Sequence, residues 1–294
     1  SWCADCRAES TDIEAAYQRY HDRGLAVVGV FINEGASDVS SYATRAGLTF
    51  PIAVDEQAVV ADRYRTLGIP THYFIGADGR IKEIRIGALA RHAQVEHSDV
   101  IAKHAPLITL AMPHIGHPAI RNRGTVGGSI AFADPAAQLP ACLLALGGEI
   151  DIAGPRGKRK VKADAFFKGL FETALRPQEM ITTIRIPAAD KATRVGFAEL
   201  ARRHGDYAIV GLAASARGNG KGLADVRLAY FGVGDTPVRA RKAEAALAAG
   251  DVDAAVKALD LDPHDDVQAT AKTKKHLAGV LLRRVAKQLM EARG

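Results

Sequence analysis

The chain has 294 residues, 48% hydrophobic and 24% charged, an ordinary globular composition with room for two or three domains. No run approaches the roughly 18 apolar residues of a membrane-spanning helix, so no membrane span is expected. The net charge of +6 is uneven: residues 1–88 hold nine Lys+Arg against twelve Asp+Glu, a net of −3, and the remainder carries +9. That shift points to two segments of different origin. The basic charges are scattered rather than clustered with aromatics, which argues against nucleic acid and for an anionic cofactor or an acidic partner surface. Three cysteines make no disulfide framework. Cys142, in the apolar run 139–144, reads as a core residue, whereas Cys3 and Cys6 form a C-x-x-C pair. Because Ser1 lies inside what reads as a motif, further chain is expected before it.

In the first segment, Cys3 and Cys6 precede a helix through Ile13, Ala16, Tyr17 and Tyr20 that ends near Gly24. The β-branched run 25–32 reads as a buried strand. A helix over 38–46 closed by Gly47, a strand at 52–54 and a helix over 58–67 follow. The turn Gly68-Ile69-Pro70-Thr71 then leads into a strand at 72–75. Ala77-Asp78-Gly79-Arg80 is a hairpin turn, with 81–86 returning. This alternation predicts an α/β layer. A C-x-x-C at a helix start favours a thiolate on Cys3 that attacks a disulfide, with Cys6 resolving the mixed disulfide. Zinc would need two further ligands, and there is no second C-x-x-C. No metal site is expected here, nor among His92, His97, His104, His114 and His117, whose spacing follows no single helical face.

The residues Trp2-Cys3-x-x-Cys6-Arg7-x-Glu9, the turn at Pro70 and the hairpin Phe74-Ile75-x-x-Asp78-Gly79 resemble the thioredoxin-like family of membrane-associated thiol–disulfide proteins. The resemblance implies that Pro70 is cis and faces the disulfide, and that an extracytoplasmic site suits this segment. It also implies a central strand immediately before W-C-x-x-C, which these 294 residues do not contain. The segment is therefore expected to be an incomplete thioredoxin-like fold over residues 1–87.

The second segment starts without a linker. A helix is expected over 98–112, then residues 120–135, which hold three glycines in five positions, Gly124, Gly127 and Gly128. Such a stretch lets a backbone approach what a Cβ would hold away, and its N–H and hydroxyl groups suit a diphosphate. A tight turn between two elements is the alternative. Asp134-Pro135 reads as a helix start with aspartate as N-cap, the helix running to about Leu146. A hairpin over 149–153 and 159–162 follows, then a strand over 180–186. No Lys-Ser/Thr follows the glycines and G-x-G-x-x-G is absent, which removes the P-loop and Rossmann readings. In the third segment, strands over 195–201, 208–216 and 226–233 and helices over 240–248, 252–259 and 269–290 make a small α+β domain.

Ile86-Gly87-Ala88, the stretch from Ile120 to Ser129, Ala133-Asp134-Pro135, Gly169-x-Phe171-x-Thr173, Glu179-Met180-Ile181 and Arg202-Arg203-x-Gly205-Asp206-Tyr207-Ala208 resemble, in order, the flavin-binding subunit of molybdenum hydroxylases. This is the family of aerobic carbon monoxide dehydrogenase and xanthine dehydrogenase. The resemblance implies that Gly124, Thr125, Val126, Gly127, Gly128 and Ser129 lie against the diphosphate of FAD. It implies that Asp134 hydrogen-bonds the cofactor, Ile181 lines its pocket and Tyr207 sits near the isoalloxazine. A helix cap for Asp134 and an ordinary strand tyrosine for Tyr207 are the plainer alternatives. The implied organisation is an α+β and α/β multidomain chain. A thioredoxin-like segment over 1–87 is followed by the C-terminal portion of a PCMH-type FAD-binding domain over 88–187. A carbon monoxide dehydrogenase flavoprotein C-terminal-like domain over 188–294 completes it, with the junction at 84–89.

The family holds FAD with two glycine loops, and the earlier one, A-G-G-x-S-L, does not occur in these residues. Its absence implies a weaker hold on FAD by several charge-assisted hydrogen bonds. The function implied is an FAD-dependent electron-transfer subunit, cytoplasmic, whose partners are a molybdenum-cofactor large subunit and an iron–sulfur small subunit. Two alternatives remain: a thiol–disulfide oxidoreductase using Cys3 and Cys6, or a fusion of the two that performs neither activity.

Overall fold

A computed structural model describes residues 1–64, 66, 72–218, 220 and 222–291. The turn at Gly68-Ile69-Pro70-Thr71, and with it the cis bond expected at Pro70, lies outside the described residues. The chain divides into two compact units, Ser1–His72 and Tyr73–Gly294.

The first unit begins with α1 (Ala4–Tyr20), capped by the Cys3 sulfur, which accepts the Cys6 N–H at 3.1 Å. Cys3 and Cys6 are joined as a disulfide, and both are half-buried. Gly24, at φ +94°, ends the turn that follows α1, a conformation favoured only for glycine. The expected strand at 25–32 pairs only as β1 (Gly29–Ile32). After α2 (Ala36–Ala46), β1 runs parallel to β2 (Ile52–Asp55) from Gly29↔Ile52 to Ile32↔Asp55. The helix expected over 58–67 is described as α3 (Val59–Arg63). Buried Asp55 anchors it, its Oδ2 accepting the Val60 and Ala61 N–H groups at 2.9 Å each.

In the second unit, the hairpin β3 (Phe74–Ile75) and β4 (Ile81–Gly87) is followed by α4 (His92–Glu96), α5 (Asp99–His104) and α6 (Pro106–Ala111). The single helix expected over 98–112 is thus two. Ser98 caps the first, but Ala105 before Pro106 takes φ −140°, ψ +53° and breaks the run, because a residue preceding proline is driven from the α region. Next come α7 (Pro118–Arg121), α8 (Val126–Phe132), α9 (Gln138–Ala145), the hairpin β5 (Glu149–Gly154) and β6 (Gly157–Lys162), the short pair β7 (Phe167–Gly169) and β8 (Glu172–Thr173), and β9 (Met180–Pro187). The five strands β3-β4-β9-β5-β6 form one antiparallel sheet in that order.

The chain closes with β10 (Thr193–Ala201), β11 (Ala208–Gly218), β12 (Leu223–Phe231) and β13 (Val238–Arg239) in an antiparallel sheet of that order. Then follow α10 (Arg241–Ala248), α11 (Val252–Lys257) and α12 (Ala271–Glu291). Strand period two lets this second sheet serve two cores. Ala213, Ala229 and Phe231 join the core of the five-stranded sheet, while Leu212, Ala214, Leu228 and Tyr230 pack with α10 and α12. All eight residues of α9 are buried, as expected of a helix enclosed on every side. The Tyr230 hydroxyl is satisfied by donating to the Ala278 carbonyl at 3.0 Å. At the rim, Asp164 accepts from Arg227 at 2.8 Å, Arg239 at 3.2 Å and Arg241 at 3.1 Å. These bonds tie the turn after β6 to the second sheet and α10. No described helix is long and apolar enough to cross a membrane.

Candidate functional site

The stretch 120–135 is more helical than a glycine loop. α7 ends in Arg121, whose side chain turns inward. Its Nε donates to Glu96 Oε2 at 2.7 Å and its Nη1 to the carbonyls of Ile115 and Gly116 at 3.2 and 2.9 Å. The buried charge is thereby paired and hydrogen-bonded, the condition for its burial. Asn122 and Arg123 are exposed. Thr125 is then the N-cap of α8, its Oγ1 accepting the Gly128 N–H at 3.1 Å. Residues 126–129, expected to lie in a loop, are therefore the first turn of a helix. The threonine cap and the absence of proline permit it, despite a cost of about 1 kcal/mol for each internal glycine.

The three glycines meet three different surroundings. A Cβ on Gly124 would lie 3.0 Å from Cε1 and Nδ1 of the His92 ring. One on Gly127 would lie 2.6 Å from both the Cβ and the carbonyl oxygen of Ala88, and the Gly127 N–H donates to that same oxygen at 2.9 Å. Gly127 thus lets α8 lie directly on the chain leaving β4, and Val126 beside it is buried. Only Gly128 faces outward, between half-buried Thr125 and Ser129.

His92 is 3% exposed. Its Nε2 lies 3.0 Å from the Thr125 carbonyl oxygen and 3.0 Å from Ser129 Oγ, while Nδ1 is buried without a partner among the described residues. Burial, and secondarily the nearby Arg121 charge, hold the imidazole below its ordinary pKa, against the opposing hydrogen bond to Thr125. Sequence reasoning weighed His92 only as a metal ligand. Nothing in the local pattern announces that it packs against a helix 33 residues further on.

Asp134 does not start a helix. Ala133, at φ +53°, ends α8, and the Asp134 carbonyl accepts the Ala137 N–H at 3.1 Å while its Oδ1 accepts the Ala136 N–H at 2.8 Å. Residues 134–137 form a separate turn, and α9 begins at Gln138 with Ala137 as N-cap. Asp134 Oδ2 has no partner among the described residues. Ile181 is buried on β9, paired with Ile152. The next residue, Thr182, accepts the Ala88 N–H at 3.0 Å, so β9 supports the strand end on which Gly127 rests. Tyr207 is 61% exposed. Its loop rests on Gly116, whose carbonyl oxygen would lie 2.7 Å from a Cβ on Gly205. Because Arg121 holds that same carbonyl, the Tyr207 loop and the glycine stretch share one anchor. No hydrogen bond or ring contact among the described residues joins Tyr207 to residues 125–129.

The surface around Gly128 fits a diphosphate. The Thr125 hydroxyl oxygen is occupied as acceptor by Gly128, which leaves its hydrogen to donate outward. Arg91 and Arg123 are exposed and have no ion-pair partner among the described residues. Donors without a protein acceptor match a ligand group that only accepts.

The fold and this surface define a flavin-binding α+β domain followed by a second sheet-and-helix domain. The profile of the FAD binding domain in molybdopterin dehydrogenase matches residues 76–189, and that of the CO dehydrogenase flavoprotein C-terminal domain matches 196–289. Residues 1–84 match the AhpC/TSA family, so the hairpin at 76–84 satisfies both kinds of profile. Subunit alpha of the 6-hydroxypseudooxynicotine dehydrogenase complex of Paenarthrobacter nicotinovorans is 36% identical over 219 residues, 71% of this chain and 74% of that protein. Reconstituted CO dehydrogenase from Oligotropha carboxidovorans superposes with a TM-score of 0.71 at 26% identity, covering 98% of this chain and 96% of that one. The thiol-disulfide oxidoreductase ResA of Geobacillus thermodenitrificans is 31% identical over 101 residues, 34% of this chain and 58% of that protein. The chain belongs to the FAD-binding medium subunits of the molybdenum hydroxylases. It is an oxidoreductase subunit, its cofactor is FAD, and its N-terminal segment is thioredoxin-like.

Proposed function

We propose that this chain is the electron-transfer subunit of a molybdenum hydroxylase complex, and that it holds the FAD diphosphate on the surface formed by Gly124, Thr125, Val126, Gly127, Gly128 and Ser129. The observation that carries the reading is the outward-facing Gly128 between two hydroxyl side chains, with Arg91 and Arg123, which have no ion-pair partner among the described residues, close to it in the chain or its pairing. Within it, Gly124, Val126 and Gly127 shape the turn and Thr125 and Ser129 supply donors. Asp134 offers its free Oδ2 to a donor of the cofactor, Tyr207 offers an exposed ring, and Ile181 supports the site from the core. The chemistry that FAD supplies when bound is electron transfer, from iron–sulfur centres of a small partner subunit to an acceptor, with substrate oxidised on a molybdenum-cofactor large subunit. The part of this chain is to bind and orient the cofactor. Purified chain is expected to carry near-equimolar flavin absorbance. A colourless preparation that FAD cannot reconstitute contradicts the reading.

The disulfide at the start of α1 favours a second activity for the first unit. Reduced, Cys3 would attack a target disulfide and Cys6 would release the product. Two electrons would pass to the target and the Cys3–Cys6 bond would re-form. Reduction of a model disulfide that is lost in Cys3→Ser would support this. Equal rates for the two proteins would remove it.

A further inference from the structure

His92 lies outside every motif that carries the family resemblance, yet it is the side chain on which the glycine stretch closes. Its Nε2 is 3.0 Å from a carbonyl oxygen, that of Thr125. A carbonyl has no hydrogen to give, so this contact requires the proton on Nε2. The other nitrogen agrees: Nδ1 is buried against Gly124 with no hydrogen-bond partner among the described residues, where an N–H would be left unsatisfied at greater cost than a lone pair. With Nε2 protonated, that nitrogen cannot accept from Ser129, whose Oγ also lies 3.0 Å away. The Ser129 oxygen can only receive, and His92 is its sole partner among the described residues. Its own hydrogen is therefore left to point outward. Thr125 is in the same condition, since Gly128 occupies its oxygen. The two hydroxyls stand four residues apart, on one face of α8.

From this geometry we infer that His92 is a positioning residue that fixes Ser129 as a hydrogen-bond donor toward an anionic ligand. By holding the Nε2–H tautomer it keeps the Ser129 hydrogen from being spent on the imidazole, so the face between Thr125 and Ser129 presents two hydroxyl hydrogens, which favours diphosphate oxygens. The inference rests on the proposed diphosphate site and adds the device that sets its polarity. Gly124 belongs to that device, because a side chain there would press on the His92 ring.

The test uses the full chain and two readouts. The first is the long-range proton–nitrogen spectrum of 15N-histidine-labelled protein without ligand. A pyrrole-type Nε2 and a pyridine-type Nδ1 for His92 are expected, and a protonated Nδ1 overturns the inference. The second is titration with ADP, a diphosphate that lacks the isoalloxazine. His92→Gln, which keeps an N–H donor at the position of Nε2, is expected to bind ADP within about threefold of the unaltered chain, whereas His92→Leu loses about tenfold or more. Ser129→Ala should weaken the parent by a similar factor and add little in the His92→Leu background, because the two residues act as one unit. Unchanged binding by His92→Leu overturns the inference, and so do losses that simply multiply. A chain that binds neither FAD nor ADP removes the proposed function and the inference with it. The tautomer spectrum distinguishes that failure from a wrongly assigned histidine.

Discussion

Gly127 and Gly128 are neighbours with opposite duties, and alanine substitutions separate them. At Gly127 a Cβ would sit 2.6 Å from the Ala88 carbonyl oxygen and Cβ and 2.7 Å from its Cα. The oxygen and Cα are main-chain atoms and the Cβ is attached directly to them, in a residue fixed by its own N–H bond to Thr182 at 3.0 Å, so no side-chain rotation relieves the clash. Overpacking of this kind costs about 1–3 kcal/mol, and displacing the Gly127 N–H from Ala88 adds about 1 kcal/mol. The higher helix propensity of alanine returns about 1 kcal/mol. The net expectation for Gly127→Ala is a loss of about 1–3 kcal/mol, which at about 2–4 °C per kcal/mol for a unit the size of Tyr73–Gly294 lowers Tm by about 2–12 °C. At Gly128 the only close atom is Thr125 Oγ1 at 2.8 Å. A weakened cap of about 1 kcal/mol is then roughly offset by the gain in propensity. Gly128→Ala should melt with the unaltered chain yet bind FAD more weakly, because its methyl group stands on the ligand face. Thermal unfolding followed by circular dichroism, with flavin fluorescence for binding, reads both. If Gly127→Ala melts with the parent, or Gly128→Ala melts lower than Gly127→Ala, the assignment of roles is refuted.

Asp164→Ala removes the acceptor of three arginines and should cost about 2 kcal/mol in chemical denaturation without altering FAD affinity. Burial raises the Asp164 pKa, but its bonds from Arg227 and Arg239 outweigh that and leave it lowered. Its contribution is therefore present above the unfolded carboxylate pKa of about 4 and is lost as pH falls through the folded value, so the difference between variant and parent should shrink in acid. His92 works in the same sense for a different reason. Its folded pKa lies below 6.5 chiefly through burial, so acidification protonates the unfolded chain first. Stability is fully present above pH 6.5 and declines as pH falls toward the folded value. His104, also lowered by burial, adds to the decline. His92→Gln should flatten part of this decline below about pH 6.5, and an unchanged slope contradicts the buried-neutral state of His92.

Much of this fold is local and was legible. Strands are expected over 180–186, 195–201 and 208–216, and β9, β10 and β11 lie there. The glycines at 24 and 47 end helical segments where expected. What failed was decided by one backbone constraint or by distant partners. Proline at 106 divides a helix that apolar spacing would have continued. Nothing near Arg121 in sequence shows that Glu96 and two carbonyls draw its side chain inward. Alternation of helices and strands places the hairpin at 74–87 in an α/β layer, yet β4 pairs with β9, about a hundred residues away, and no local pattern encodes that choice. In the site, the glycine-rich composition correctly signalled close approach. For Gly124 and Gly127, however, the approaching groups are His92 and Ala88 of the protein itself.

The central claim is that the face of α8 around Gly128 grips FAD, and equilibrium titration of the full chain with FAD tests it most directly. One FAD per chain should bind with quenching of flavin fluorescence, and ADP should compete for the same site. Ser129→Ala, with its fold and Tm intact, should weaken both ligands by about tenfold, as the loss of one charge-assisted hydrogen bond requires. FAD binding that is indifferent to Ser129 and to ADP, or no binding at all, contradicts the account.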